Sequence, residues 1–233
     1  MKLNGQIAVV TGGGRGIGRG IALALAAEGA HVVVCARTNQ EIESVAEEIR
    51  AKAGSASAVP TDVGDPADVT RCAETVLGRY GRMDILVNNA GIGVMKPVTA
   101  LSVEEFDRMW NVNLRGVFLM TKAFLPAMIK AETGSIVNIA SLAGKNSFKG
   151  GAGYCATKWG LRGFAGSLML EVREHNIRVV TIFPGSVDTG FSPVGKKGEN
   201  IPRPEDIGAT VLFAVTAAPR AMISEIDVRP TRA

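Results

Sequence analysis

The chain has 233 residues, of which 46% are hydrophobic and 5% aromatic, and a formal net charge of +4. That length suits one α/β domain with a large core, and many small aliphatic side chains with few aromatic ones are typical of parallel strands covered by helices. The basic residues are scattered apart from the Lys196-Lys197 pair, which argues against a nucleic-acid face or a polybasic anchor. The start of the chain lacks a signal-peptide apolar region, and we find no uninterrupted apolar run of about 18 residues, so we expect a soluble cytoplasmic protein without membrane contact.

The cysteines and histidines do not have the spacing of a metal site. Cys35, Cys72 and Cys155 are odd in number, far apart and free of CxxC spacing, which is typical of reduced cytosolic thiols. His31 and His175 have no second histidine or carboxylate at ligand spacing, so we expect structural roles for them and no bound metal.

Short apolar runs alternate with longer amphipathic segments along the whole chain. In chain order the pattern predicts strand Gln6–Thr11, helix Gly16–Glu28, strand His31–Ala36, helix Gln40–Lys52, strand Ala56–Thr61, helix Pro66–Tyr80, strand Asp84–Asn88, helix Val103–Ala131, strand Ser135–Ala140, helix Gly153–Glu174, strand Ile177–Phe183, helix Glu205–Ala217 and strand Met222–Val228. Such alternation implies right-handed βαβ crossovers. The sequence therefore predicts a single α/β domain over residues 1–233, with a doubly wound, seven-stranded parallel sheet of the Rossmann type.

The segment from Asp188 to Ile201 interrupts this alternation. It contains Gly190, Pro193, Gly195 and Gly198 and has little periodicity, which predicts a loop after the sixth strand. Ligands of open α/β sheets bind beyond the carboxyl ends of the strands, so this loop is a candidate lid over a substrate. A connection without function is the alternative.

A glycine-rich turn joins the first strand to the first helix, with the sequence Gly12-Gly13-Gly14-Arg15-Gly16-Ile17-Gly18. Glycines let the backbone turn tightly and approach a pyrophosphate, while the helix N-terminus offers free N–H groups to the phosphates. The position of the turn between a strand and a helix predicts a dinucleotide site.

The end of the second strand indicates which dinucleotide is preferred. NAD sites place an acidic residue about 20 positions after the glycines to hold the ribose 2′-hydroxyl. Here Ala36 stands where that carboxylate is expected, and Arg37 follows it. Arg37, with Arg15 from the glycine turn, can make charge-assisted contacts with a 2′-phosphate. The pattern therefore favours NADP(H) over NAD(H), although either arginine alone would suit a solvated surface.

Further motifs follow in order along nearly the whole chain, and they are Asp62-Val63, Asn88-Asn89-Ala90-Gly91, Asn113, Ser141, Tyr154-Cys155-Ala156-Thr157-Lys158 and Pro184-Gly185 with Val187 and Thr189. Together with the glycine turn, these motifs make this sequence resemble the short-chain dehydrogenase/reductase family. The resemblance implies that Asp62-Val63 contacts the adenine end of the cofactor, that Asn89, Ala90 and Gly91 support the sheet beside it, and that Pro184-Gly185, Val187 and Thr189 lie against the nicotinamide. It also implies the catalytic residues, which are Asn113, Ser141, Tyr154 and Lys158.

The chemistry of these four residues is consistent with hydride transfer between a carbonyl and a secondary alcohol. Tyr154 and Lys158 are four apart in a predicted helix and so share one face. We expect Tyr154 to be the general acid or base, with Lys158 lowering its pKa and bonding the nicotinamide ribose. Ser141 would donate a hydrogen bond to the substrate oxygen, and Asn113 would hold a proton-relaying water.

Each of these residues also has an ordinary structural alternative. Tyr154 and Lys158 would suit an exposed helical pair, Ser141 a helix cap, and Asn113 a local backbone contact. A non-catalytic protein that senses NADP(H) is the alternative function, but it predicts the loss of a catalytic position. An epimerase or dehydratase usually needs a larger carboxyl-terminal domain.

The substrate and the assembly are less specified. The family resemblance implies a homodimer or homotetramer through the two long helices, in which Gly160, Gly163 and Gly166 would permit close packing. The tail Ile223–Pro230 lacks the glycine pair common in acyl-carrier-protein reductases, which favours smaller carbonyl substrates. Substrate contacts are expected from the loops Gly93–Pro97, Ala143–Gly151 and Asp188–Ile201.

Overall fold

A computed structural model describes residues 1–191 and 199–231. Its centre is one seven-stranded, wholly parallel sheet in the order β3-β2-β1-β4-β5-β6-β7, which confirms the predicted fold class. The strands are β1 (Ile7–Thr11), β2 (His31–Ala36), β3 (Ser55–Pro60), β4 (Ile85–Asn88), β5 (Gly134–Ile139), β6 (Ile177–Pro184) and β7 (Glu225–Val228). The helices are α1 (Gly16–Ala27), α2 (Asn39–Ala51), α3 (Pro66–Tyr80), α4 (Val103–Trp110), α5 (Gly116–Ala131), α6 (Ala152–Val172) and α7 (Pro204–Val215).

The sheet separates two apolar cores. One face packs against α1, α2 and α7, through side chains such as Leu25, Ile42 and Val211. The other packs against α3, α5 and α6, through side chains such as Phe124 and Leu168. Central strands need apolar residues at every position when both faces are covered, and all five residues of β1 are buried.

The predicted long helix Val103–Ala131 has the expected ends and an interruption within it. A π turn over Asn111–Arg115 separates α4 from α5. The capping box between Ser102 and Glu105 begins α4. By length and its mean hydropathy of 1.3 alone, this helix would be able to cross a membrane. Its inner side, which includes Met120, Phe124 and Met128, is fully buried in the core, as in the central helices of folded globular domains.

One predicted strand is too long, and one contact between cysteines could not be read from the sequence. Met222–Val228 is not all strand, because β7 pairs with β6 only over Glu225–Val228, at the edge of the sheet. Cys35 and Cys72 are far apart in sequence, yet their sulfurs lie 3.7 Å apart because β2 faces α3. The Lys196-Lys197 pair and most of the predicted lid, including Pro193, Gly195 and Gly198, lie outside the described residues.

Candidate active site

The backbone of the glycine turn after β1 lies close to the loop that follows β4. A Cβ atom on Gly18 would lie 2.1 Å from the Gly12 carbonyl oxygen, and one on Gly12 would lie 2.9 Å from the Ala90 Cα. Gly16 has a φ of +50°, in the left-handed region that favours glycine. The first turn of α1 has no side-chain cap from its N-cap residue Arg15. Its free N–H groups and the glycines of the turn make this position suitable for a phosphate group.

Thr11 and Asn89 hold the glycine turn against the loop after β4. The Asn89 Nδ2 donates to the carbonyl oxygens of Thr11 at 2.9 Å and Gly12 at 3.1 Å. The Thr11 Oγ1 accepts from the backbone N–H groups of Asn89 at 3.0 Å and Ala90 at 3.1 Å. The predicted support by this segment therefore takes the form of hydrogen bonds to the glycine turn.

Charged residues follow β2 and lie in the first turn of α2, beside the glycine turn. Arg37 is exposed, and Thr38 precedes α2 without a side-chain cap bond. The Arg15 Nη1 lies 3.5 Å from the Glu41 Oε1, which is in the first turn of α2. The sequence position of Glu41 does not mark it as a cofactor residue, because it lies five residues beyond the position where an acid is expected.

Tyr154 and Lys158 are not an exposed helical pair, since only 6% and 4% of their surfaces are accessible. The Lys158 Nζ donates a hydrogen bond of 3.0 Å to the Ile139 carbonyl oxygen and lies 5.8 Å from the centroid of the Tyr154 ring. The Lys158 amine is therefore anchored at the carboxyl end of β5, one turn of α6 from Tyr154.

The pKa values of this pair differ from the expectation. Burial raises the pKa of Tyr154 to about 12, with the Ser141 hydroxyl acting in the opposite direction. Burial also lowers the pKa of Lys158 to about 8. The expected lowering of the tyrosine pKa by Lys158 is not found, because desolvation dominates and the ammonium is directed at the Ile139 carbonyl.

Ser141 follows β5 and begins a short 3₁₀ turn over Leu142–Gly144. Its Oγ accepts a hydrogen bond of 3.1 Å from the Ala143 N–H, so the capping alternative is realised. A hydroxyl that accepts one bond keeps its own proton to donate. Capping and donation towards the Tyr154 side of the site are thus compatible.

Asn113 lies in the π turn and is buried. Its Nδ2 donates to the Ile92 carbonyl oxygen at 2.8 Å and to the Thr157 Oγ1 at 3.1 Å, and its Oδ1 accepts from the Ile92 N–H at 2.8 Å. The side chain thus joins the loop after β4 to α6. Both Nδ2 hydrogens are thus used within the protein, and the Oδ1 accepts one hydrogen bond.

The remaining predicted cofactor residues surround the same edge of the sheet. A Cβ atom on Gly91 would lie 3.4 Å from the Asn113 Oδ1 and 3.6 Å from the Lys158 Nζ. One on Gly16 would lie 3.5 Å from the Thr189 Cγ2, so the loop after β6 reaches the glycine turn. Pro184 ends β6, and the Gly185 N–H donates to the Val228 carbonyl oxygen at 2.8 Å. Ile17 and Val187 pack on the α1 side of the core.

The Asp62-Val63 pair follows β3. The Asp62 Oδ1 accepts a hydrogen bond of 2.9 Å from the Gly64 N–H, and the buried Val63 side chain packs against Gly116.

Lys145 fixes the loop after β5 to the edge of the sheet. Its Nζ lies 2.6 Å from the Asp227 Oδ1 and 2.8 Å from the Glu225 Oε2, both on β7. Arg162 of α6 binds the same Glu225 at 2.7 Å. The tail, which lacks a glycine pair, therefore provides carboxylates that hold the Ser141 loop in place.

The aromatic ring of Phe191 lies near that of Tyr154. The Phe191 ring centroid is 6.2 Å from that of Tyr154, and a Cβ atom on Gly93 would contact both Met95 and Phe191. A cavity of about 480 Å³ is lined by Lys96 and Phe148, from two of the three predicted substrate loops, and by Cys155 of α6, the neighbour of Tyr154 in sequence. The four predicted catalytic side chains do not line this cavity. Phe191 and Met95 lie in two of the predicted substrate loops, Asp188–Ile201 and Gly93–Pro97, but no local pattern marks either side chain individually.

Known proteins resemble this chain along its length. A family model described as short chain dehydrogenase matches residues 6–199. The sepiapterin reductase of Chlorobaculum tepidum is 35% identical over 97% of this chain and 96% of its own. A solved metagenomic short-chain oxidoreductase in complex with NADP is 40% identical, covers 100% of both chains and has a TM-score of 0.90. An alcohol dehydrogenase from Thermococcus sibiricus, complexed with 5-hydroxy-NADP, is 31% identical over 98% of this chain and 97% of its own, with a TM-score of 0.91. The chain therefore belongs to the short-chain dehydrogenase family of oxidoreductases.

Proposed function

We propose that this protein is an NADP(H)-dependent oxidoreductase that interconverts a carbonyl and a secondary alcohol. The observation that carries this proposal is the buried Tyr154–Lys158 pair beside Ser141, at the same sheet edge as the glycine turn. The phenol of Tyr154 can donate a proton, with the amine of Lys158 close to it, and the hydroxyl of Ser141 can donate a hydrogen bond to the substrate oxygen.

The residues of the glycine turn fit a dinucleotide. Gly12, Gly16 and Gly18 leave the backbone open, and the uncapped start of α1 suits a pyrophosphate. Arg15 and Arg37 would hold the 2′-phosphate of NADP(H). The NADP and the 5-hydroxy-NADP in two of the related structures support this choice. When bound, the nicotinamide supplies or accepts the hydride.

Tyr154 is the proposed proton donor to the carbonyl oxygen. With a pKa raised to about 12, its phenol is protonated at neutral pH and ready to give a proton. Ser141 donates a hydrogen bond to the same oxygen and aids its placement. Lys158 orients the ribose of the cofactor and carries protons to Tyr154. A protonated phenol is the form of Tyr154 that the reduction of a carbonyl requires.

The site suits a small carbonyl compound with an apolar or flat group. Phe191 provides an apolar side chain beside the phenol, and Met95 lies near Phe191 at the Gly93 position. The relative named sepiapterin reductase supports a reductase of small molecules over one of carrier-bound fatty acyl chains. All four predicted catalytic side chains are present, which disfavours the non-catalytic sensor.

The proposed assembly is a cytoplasmic homodimer or homotetramer. Trp159, Gly163, Gly166 and Leu170 form an exposed stripe along one side of α6, at helical spacing. A Cβ atom on Gly163 or Gly166 would meet nothing within 4 Å, so the helix has room there for the backbone of another helix.

The test is a panel of ketones, aldehydes and oxoacyl thioesters assayed by loss of NADPH absorbance, with wild type and Tyr154→Phe. We expect turnover of at least one carbonyl by wild type and a loss of about 100-fold or more in kcat for the variant, because a general acid contributes a factor of that order. The dissociation constant of NADPH should remain unchanged. Tyr80→Phe is the matched control, since Tyr80 is the other tyrosine and bonds His31 on the far edge of the sheet. Equal kcat values for Tyr154→Phe and wild type would refute the mechanism.

A further inference from the structure

Glu41 lies where a negative charge affects the recognition of a 2′-phosphate. Its Oε1 is 3.5 Å from the Arg15 Nη1. A Cβ atom on Gly14 would lie 2.8 Å from the Glu41 Cβ and 3.3 Å from its Oε2, so the side chain covers the middle of the glycine turn.

The position of this carboxylate follows from the pairing of β1 with β2. Thr11 at the end of β1 is opposite Cys35, and the Gly13 N–H donates to the Cys35 carbonyl oxygen at 3.1 Å. The glycine turn and the end of β2 are thereby held side by side. In this fold class the ribose 2′ group lies between these two segments. The first turn of α2 projects Glu41 into the same space.

The two arginines near this space differ in their surroundings. Arg15 pairs with Glu41, while Arg37 has no ion pair with the residues that the structure describes. The side chain of Arg15 is 84% exposed and that of Glu41 is 37% exposed. An exposed pair of this kind is weak enough to open when a stronger anion arrives.

We propose that Glu41 competes with the 2′-phosphate for Arg15 and so limits the preference of this protein for NADP(H) over NAD(H). This proposal rests on the NADP(H) site proposed above and adds a determinant of its selectivity. In the free protein Glu41 holds Arg15. A bound 2′-phosphate must take Arg15 from the carboxylate and accept a negative charge nearby, whereas the 2′-hydroxyl of NAD(H) requires neither.

The test compares dissociation constants of NADPH and NADH, measured by titration calorimetry without any substrate. Glu41→Gln should tighten NADPH about two- to five-fold, the range expected for one exposed ion pair, and leave NADH unchanged. Glu43→Gln is the matched control, because it removes the same charge from the same helix but from a side chain near Arg50. The control should change neither constant.

A second background tests the role of Arg15. In Arg15→Gln protein, Glu41→Gln should tighten NADPH binding by less than half as much in free energy as it does in wild type. The reason is that no Arg15 guanidinium remains for which Glu41 and the 2′-phosphate could compete. About 0.5 M NaCl should also shrink the gain by screening.

An unchanged or weakened NADPH constant in Glu41→Gln would overturn the inference, as would an equal gain in both backgrounds. If wild type binds NADPH but Glu41→Gln does not tighten that binding, the proposed competition by Glu41 is wrong and the proposed function is unaffected. If wild type does not bind NADPH, the proposed function fails and the inference with it.

Discussion

Lys158 should make the free energy of unfolding of this protein depend on pH. Replacement of Lys158 by a residue that does not titrate should remove this dependence. Its amine is 4% exposed, and burial lowers its pKa to about 8. In the unfolded chain an ordinary lysine has a pKa of about 10.4. Above the pKa of the unfolded chain the amine is neutral in both states, so Lys158 makes no pH-dependent contribution to the free energy of unfolding. Its destabilisation of the folded state grows as the pH falls from about 10.4 towards 8, and is constant below that.

The magnitude follows from the difference between the two pKa values. At pH 7.5 the protonated amine destabilises the folded state by about 3 kcal/mol, and at pH 9.5 by about 1 kcal/mol. Lys158→Met removes this pH-dependent cost. It also leaves the Ile139 carbonyl without its donor, which costs about 1–3 kcal/mol at either pH. The expected result is thus a free-energy difference between variant and wild type that favours the variant by about 2 kcal/mol more at pH 7.5 than at pH 9.5.

Urea unfolding of both proteins at the two pH values, at one protein concentration, measures this difference. Lys122→Met is the control, since Lys122 is an exposed lysine on α5. Its effect on the free energy of unfolding should be the same at both pH values. A Lys158→Met effect that is equally independent of pH would refute the reasoning, because it would mean that the amine is not desolvated in the folded protein.

Three further outcomes are expected. Arg37→Asp should raise the dissociation constant of NADPH by about 10-fold or more and change that of NADH little, since it places a carboxylate beside the 2′-phosphate; equal effects on both would contradict the cofactor preference. Gly18→Ala should destabilise the protein by about 1–3 kcal/mol in urea unfolding, because the new Cβ would lie 2.1 Å from the Gly12 carbonyl oxygen. Gly78→Ala, with nothing within 4 Å of its Cβ, should instead be neutral or stabilise by up to about 1 kcal/mol, so similar losses for the two variants would contradict this packing. Light scattering at micromolar concentration should give wild type the mass of a dimer or tetramer and Gly163→Arg a smaller one, and a monomeric wild type would exclude the proposed assembly.

The α/β fold could be predicted from local patterns. Helical and strand periodicities depend on neighbours in sequence, and so the alternation of elements and the bounds of α3 and β2 follow from short segments. The glycine turn is similarly local, because a strand, a turn and a helix are consecutive. The four-residue spacing of Tyr154 and Lys158 places them on one face of α6 wherever that helix packs.

Other properties of the site depend on residues that are distant in sequence. Burial of Lys158 against Ile139 sets its pKa, and a residue on another element cannot be assigned from helix periodicity. The hydrogen bond between Asn113 and Ile92 joins the π turn to the loop after β4. The approach of Phe191 to Tyr154 likewise requires the loop after β6 to meet α6.

Glu41 shows the same division between local pattern and packing. Its sequence position identifies only an acidic residue in the first turn of a helix, which is common because such residues stabilise the helix N-terminus. The pairing of β1 with β2 brings that turn over Gly14 and beside Arg15. Short-range patterns are sufficient to predict the elements and the type of chemistry. Charges, protonation states and pocket walls depend on which elements lie together, because electrostatic and packing energies act through space between residues remote in sequence.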